Sequence, residues 1–307
     1  MASTPVVVIG GYLGAGKTTL VNHLLRHADG RRVVVLVNDF GSISIDADLI
    51  EGSADGVLAL AGGCACCSFG ADLVGTLQRA LARTPPPDAV LLECSGVGLP
   101  GAVARSASLA VGAAVQGVAV VVDAVEAPRL ARDRYVGDTV GQQWRQADLL
   151  IVNQADRASA AALAAVEREL ALAAPGTPQV VCSQGRMPPE LVFGLHDGAA
   201  AAASAWSARA GAGRYAAATG VPAAERLRFF DHRVTGPTDV HALAAELAAP
   251  ESRLLRAKGL VRGLDGALWL IQVMGRRCEV ALAPASAAAA AADEGRVACI
   301  ALATAAA

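Results

Sequence analysis

Aromatic residues are scarce, only 4 % of 307 positions, and no apolar run approaches the roughly 20 residues needed to cross a bilayer. Hydrophobic residues still make up 54 %. Much of that share is alanine, so the chain can bury a large core without a membrane-type composition. An excess of one charge is missing too: 26 Lys and Arg face 28 Asp and Glu, for a net charge of −2. The basic residues are scattered, which argues against a nucleic-acid partner. No basic region followed by an apolar stretch opens the chain, and Val6 to Ile9 is too short to span a membrane, so a soluble, cytoplasmic protein is expected. The cysteines also argue against a secreted disulfide framework. The seven cysteines are an odd number, and three of them crowd together at Cys64, Cys66 and Cys67, a pattern of reduced thiols. Cys94, Cys182, Cys278 and Cys299 lie in or beside apolar runs and read as small core residues.

What is present begins with short β-branched runs: Val6 to Ile9, Val33 to Val37, Ala89 to Leu92, Val118 to Val122, Leu149 to Val152 and Gln179 to Cys182. Continuous apolar strands separated by helical stretches imply a parallel sheet covered on both faces, hence an α/β domain over residues 1–195. Residues 196–224 degenerate into Ala, Gly and Ser and read as a linker. Residues 225–307 then alternate as strand, helix and four further strands, with a helix expected at Ala285 to Ala292 on propensity alone, so a smaller α+β domain is predicted.

Gly11-Tyr-Leu-Gly-Ala-Gly-Lys-Thr18 matches G-x-x-x-x-G-K-[ST], with a strand before it and a helix from about Lys17 after it. Backbone N–H groups over Gly11, Gly14, Ala15, Gly16, Lys17, Thr18 and Thr19 can turn inward onto phosphate oxygens at the positive end of the helix. Lys17 would neutralise the β and γ phosphates, and the Thr18 hydroxyl would ligate Mg²⁺. Glu93 follows an apolar strand in Leu91-Leu-Glu-Cys-Ser-Gly96 and can hold a metal-bound water, while Gly96 lets a backbone N–H approach the γ-phosphate. Base choice falls to Asn153 and Asp156 in Ile151-Val-Asn-Gln-Ala-Asp156. A carboxylate accepts two hydrogen bonds from guanine N1–H and its exocyclic amine, a donor pair adenine lacks, so GTP and GDP are the expected ligands. Gln154 stands where N-K-x-D has the lysine that packs along the base and braces the phosphate loop, which predicts weaker affinity. Ser183 opens a Ser-Gln-Gly turn positioned to offer guanine O6 a backbone N–H.

Gly62-Gly-Cys-Ala-Cys-Cys-Ser68 sets three thiols within four positions. Thiolates at such spacing suit Zn²⁺, with Co²⁺ or Cu⁺ as competitors. Three ligands leave a coordination position open for metal transfer; a structural zinc and thiol redox chemistry are the alternatives. His23 and His27 lie one helical turn apart, a spacing more often found in solvated or packed histidines than in a metal site.

Together these motifs resemble the CobW-like metal-associated P-loop GTPases, which include cobalt and zinc chaperones and nitrile hydratase activators. The resemblance spans nearly the whole chain. It rests on GGYLGAGKTTL from Gly10, NDFG from Asn38 with Ile45 and Asp46, GGCACC from Gly62, ECSG from Glu93, NQAD from Asn153 and LLRAKG from Leu254. It implies a GTPase whose thiolate site, made by Cys64, Cys66 and Cys67, is linked to the nucleotide state and passes its ion to a client metalloprotein. Asp39 would then belong to the segment that senses the γ-phosphate and share catalysis with Lys17 and Glu93. The family usually has Glu at position 39 and often a His-rich tract before the C-terminal domain; this chain has only His196 there. An ATP-dependent small-molecule kinase and a nucleotide-binding scaffold are the competing readings, and self-association is left open.

Overall fold

The computed structural model describes residues 3–28, 30–37, 57–59, 69–194, 227–283 and 294–302, without side chains for 57–59 and 69–72. They form two compact units, 2–175 with 179–186, and 176–178 with 187–307. By its contacts the first unit ends at residue 186. Asp39, Cys64, Cys66, Cys67, His196 and the helix expected at Ala285 to Ala292 lie outside the described residues.

In the first unit the order is β1 (Thr4–Gly11), α1 (Lys17–Arg26), β2 (Val33–Val37), β3 (Val57–Ala59), α2 (Phe69–Leu81), β4 (Ala89–Glu93), α3 (Pro100–Ala107), β5 (Ala113–Asp123), α4 (Ala127–Ala131), α5 (Gly137–Arg145), β6 (Leu149–Asn153), α6 (Ala160–Ala173) and β7 (Gln179–Val181). The strands make one seven-stranded sheet in the order β3-β2-β4-β1-β5-β6-β7, and every neighbouring pair is parallel. β2, β4 and β6 are buried at every position, as expected of strands covered by helices on both faces. Val8, Leu36, Leu92, Val120, Leu150 and Trp144 belong to one continuous core. The sheet brings the C-terminal ends of β1, β4, β5 and β6 side by side, with Ile9 level with Glu93 and Asp123 level with Asn153. Ligands of open α/β sheets bind along that edge.

The second unit contains α7 (Glu190–Phe193), β8 (Leu227–Arg233), α8 (Val240–Ala248), β9 (Leu254–Arg262), β10 (Leu268–Met274), β11 (Arg277–Leu282) and β12 (Arg296–Leu302). Its five strands run antiparallel in the order β11-β10-β9-β12-β8. Asp239 caps α8 by accepting from the His241 and Ala242 N–H groups, which satisfies two of the helix's orphan donors. Val240, Leu243, Ala244 and Leu247 then pack on Ala257, Val261, Ile271, Val273 and Val297. Arg256 is fully buried, and that burial lowers its guanidinium to about 10 against the opposing pull of Glu279. Among the described residues, no helix is long and apolar enough to cross a membrane.

Leu150 is wholly buried in the middle of β6, so Leu150→Ala should remove about 2–5 kcal/mol from the first unit. Urea titration followed by circular dichroism tests this; a midpoint unchanged from the native chain would contradict the packing described.

Candidate nucleotide site

At the end of β1 the chain leaves the sheet through residues 12–16 and re-enters regular structure as α1. Gly11, Gly14 and Gly16 all have positive φ. Gly16, at φ 96, is the N-cap of α1 and offers no side-chain cap. The N-cap thus puts no side-chain acceptor over the first turn, where the helix dipole favours an anion. A Cβ on Gly16 would run into the Asn153 amide nitrogen, so both conformation and space demand glycine. Lys17 is buried, with Nζ 3.5 Å from the Tyr12 carbonyl. Ala15 is buried and Thr19 exposed.

Thr18 Oγ1 donates to Glu93 Oε1 at 2.9 Å. One parallel register step therefore joins the phosphate loop to the end of β4, and it places a hydroxyl and a carboxylate, both hard oxygen donors, in one corner. Such a pair fits Mg²⁺, which takes oxygen ligands and keeps much of its water. Glu93 is only 2 % exposed, so its carboxylate is held within the protein. The next residue, Cys94, is buried too, and burial pushes its thiol from the ordinary 9 up to about 12, with Lys17 pulling down and Glu93 adding to the rise. Cys182 is raised to about 12, again mainly by burial. Both stay protonated at neutral pH and act as packing residues.

Asn153 is 1 % exposed, and its amide ties three segments together. Its Nδ2 donates to the Ala15 carbonyl at 2.9 Å, while its Oδ1 accepts from the Gly185 N–H at 2.9 Å and the Cys182 thiol at 3.5 Å. Asp156 stands out into solvent with its N–H on Ser183 Oγ at 3.1 Å. The Ser183 turn is therefore brought to Asp156, but the Gly185 N–H is already committed to Asn153. Gln154, in the left-handed region at φ 59, donates from Nε2 to the Gly14 carbonyl at 2.9 Å. The brace expected to be lost with the lysine is kept.

The described residues thus bring together Gly11, Gly14, Ala15, Gly16, Lys17, Thr18, Glu93, Asn153, Asp156 and Ser183. Asp39 and the cysteine trio cannot be set against this geometry because they lie outside the described residues, and among those described no cluster of three or more His, Cys, Asp or Glu could hold a metal. His23 is buried, and His27 Nδ1–H donates to the His23 carbonyl at 2.8 Å, so this pair packs together at the C-terminal end of α1. Three residues with no motif to announce them also organise the site. Asp123 accepts from the Val125 and Glu126 N–H groups at 2.8 and 3.1 Å and shapes the turn into α4. Gln143 and Gln146 reach the segment after Glu93; their only sequence signal is a pair of glutamines one helical turn apart.

Residues 5–181, more than half of the chain, match the family model for the CobW/HypB/UreG nucleotide-binding domain. The chain is 33 % identical over 228 residues to the zinc chaperone CobW of Pseudomonas aeruginosa, covering 64 % of this chain and 61 % of that one. It is 30 % identical over 176 residues to zinc-regulated GTPase metalloprotein activator 1 of Schizosaccharomyces pombe, covering 54 % and 42 % respectively. The matches span at most about three fifths of these relatives' length. A solved structure of a zinc-bound triple mutant of the YjiA GTPase aligns over 98 % of this chain and 94 % of that one, at 21 % identity and a TM-score of 0.47.

Asn153→Leu removes the amide while keeping its branched shape, and it takes away the hydrogen-bond partner of the Ala15 carbonyl and the Gly185 N–H. It should destabilise the ligand-free first unit by at least ~2 kcal/mol, read as a lowered urea midpoint; an unaltered midpoint would show that the tie carries no stability. Alkylation with iodoacetamide at about pH 8, mapped by peptide mass, should spare Cys94 and Cys182 and label the exposed Cys278. Because folding raises the buried thiols' pKa, their protonated form contributes stability that is present below about 9 and lost as pH rises toward about 12.

Proposed function

The chain belongs to the CobW/HypB/UreG family, and from that premise we propose that it is a GTP-hydrolysing metallochaperone that delivers a thiophilic divalent ion, zinc before cobalt, to a client metalloenzyme. The observation that carries the nucleotide half is the Thr18–Glu93 hydrogen bond, which joins a phosphate-binding loop to the carboxylate beside which the terminal phosphate would lie. The metal half rests on the three clustered thiols and on relatives named as zinc chaperones and a zinc-regulated activator.

In this reading the uncapped N–H groups at the start of α1 bind the phosphates, and Lys17 neutralises charge on the β and γ oxygens. Thr18 and Glu93 would hold Mg²⁺, which supplies positive charge where negative charge develops on the phosphoryl oxygens. Glu93 would do so through a bound water. Asp156 would accept from guanine, and its exposure before ligand arrives supports that role. Since Asn153 spends its carbonyl oxygen within the protein, it positions the loops around the base. The Gln184 N–H, next to the committed Gly185 N–H, is the candidate for guanine O6. A kinase for a small molecule fits less well, because adenine would leave the Asp156 carboxylate unpaired.

Cys64, Cys66 and Cys67 would carry the cargo ion, and Asp39 would link them to the γ-phosphate. Binding of triphosphate would order that segment and preorganise the thiolates; hydrolysis would loosen it and release the ion. Linkage demands that metal affinity differ between nucleotide states. A cytoplasmic location is consistent with reduced thiols.

Titrating Co²⁺ into the reduced chain, with thiolate-to-metal absorption as the readout and Zn²⁺ by competition, tests the whole scheme. Affinity should be higher with a non-hydrolysable GTP analogue than with GDP or no nucleotide, and should collapse in Cys66→Ser. Equal affinity in all three states would make the cysteines a structural or redox site and leave a nucleotide-binding scaffold.

A further inference from the structure

The segment after Glu93 is held by side chains from a helix that no nucleotide-binding motif includes. β4 keeps its ladder for one more residue, with the Cys94 N–H on the Ile9 carbonyl at 2.9 Å, and the chain then leaves the sheet. Gln143, near the end of α5, donates from Nε2 to the Gly96 carbonyl at 3.0 Å and the Gly98 carbonyl at 2.8 Å. Both partners are carbonyl oxygens, which only accept, so the amide can face them in one way only. Gln146 follows one turn later, and its Oε1 accepts from the Gly101 N–H at 2.9 Å. That N–H is an orphan donor in the first turn of α3, whose N-cap Leu99 has no side chain to give it.

The need for this clamp follows from Gly96 itself. A Cβ there would meet the Leu13 side chain and backbone, so the close approach of the phosphate loop requires glycine. Glycine is also the residue with the widest conformational freedom. Fixing the Gly96 carbonyl fixes the plane of the peptide that follows, since the amide is rigid and trans, and thereby ψ at Gly96. Its N–H donates to no group among the described residues.

Gln143 has no exposed surface, and among the described residues its buried Oε1 meets no hydrogen-bond donor and Ser95 Oγ on the same segment has no hydrogen-bond partner. A side chain that merely filled space would serve better as leucine or methionine, because an unsatisfied buried oxygen is costly. The two bonds to the segment are what offset that cost.

We propose that Gln143, assisted by Gln146, is a positioning residue that holds Gly96 ready to receive the γ-phosphate and so sets the preference for triphosphate over diphosphate. This rests on the GTP-binding reading above. In the GTP-binding reading the α and β phosphates fall to residues 12–19, with which neither glutamine shares a hydrogen bond among the described residues, so diphosphate affinity should be largely independent of the clamp.

The test is equilibrium binding of a non-hydrolysable GTP analogue and of GDP to the full chain, with thermal unfolding alongside. Gln143→Leu and Gln143→Met keep the volume and remove both donors. Each should weaken analogue binding about tenfold, the worth of one well-aimed hydrogen bond, and GDP binding by less than about twofold. Gln146→Ala should shift the ratio in the same direction and less. Gln143→Glu supplies a readout that packing alone would not move. As a buried carboxylate it faces two carbonyls and repels them; protonated, it donates to one. The analogue-to-GDP ratio of this variant should therefore recover toward that of the native chain as pH falls from about 9 to about 6. An unchanged ratio in both Leu and Met variants overturns the proposal. So does an equal loss for both nucleotides with a lowered melting temperature, which would mark Gln143 as a packing residue. If the native chain binds neither nucleotide, the GTP reading fails first and this inference with it.

Discussion

The amide of Asn153 is the constraint on which the site depends. Residues 15, 153, 182 and 185 come from distant parts of the first unit, and one planar group satisfies a carbonyl, an N–H and a thiol among them. Each of those protein groups is buried, so each would cost free energy if left unmet. The tie also explains Gly16, where any side chain would occupy the space of the Asn153 nitrogen. With the last turn of the phosphate loop fixed against β6, α1 begins at a set point and its first N–H groups converge on one spot. The Thr18–Glu93 contact follows from the neighbouring register of β1 and β4. A carboxylate and an ammonium group, both buried within this corner, are the groups a phosphate and its counter-ion would join.

Much of the sheet could be read from composition because its strands are covered on both faces. Val33 to Val37 and Leu149 to Val152 are uninterrupted apolar runs, and a strand buried on one side only would have alternated. β3 was missed for the opposite reason: three residues, Val57 to Ala59, carry too short a pattern to separate from a loop. In the second unit alternation is visible, and Asp239 marks the start of α8 through a capping chemistry that needs no tertiary context. The division between the two units follows where contacts fall, while the Ala- and Gly-rich tract announces itself by composition.

The site divides in the same way. Residues 11–19 are legible since their backbone must make a specific loop, and glycine, lysine and threonine are the residues that chemistry allows. Gln143, Gln146 and Asp123 are invisible by that route. Their partners are main-chain atoms of a segment brought near by the fold, and a glutamine facing a carbonyl looks, in sequence, like any other polar helix residue. The cysteine trio is the reverse case: Cys64, Cys66 and Cys67 are conspicuous by spacing and lie outside the described residues.

Gln154 shows how a departure from a motif should be weighed. The lysine usual at that position does two things: its ammonium group bonds the phosphate loop and its long stem lies along the base. Here Gln154 still bonds the Gly14 carbonyl, and its other end takes Arg157, a contact an ammonium group could not accept. It adopts a left-handed backbone to do so, at a cost of order 1 kcal/mol that the surrounding hydrogen bonds must offset. The support of the loop is therefore retained, and in the proposed GTP-binding reading the shorter stem would confine the loss to the apolar surface offered to the base. Any reduction in nucleotide affinity should consequently appear in discrimination and stacking at the base, with the phosphate contacts undiminished.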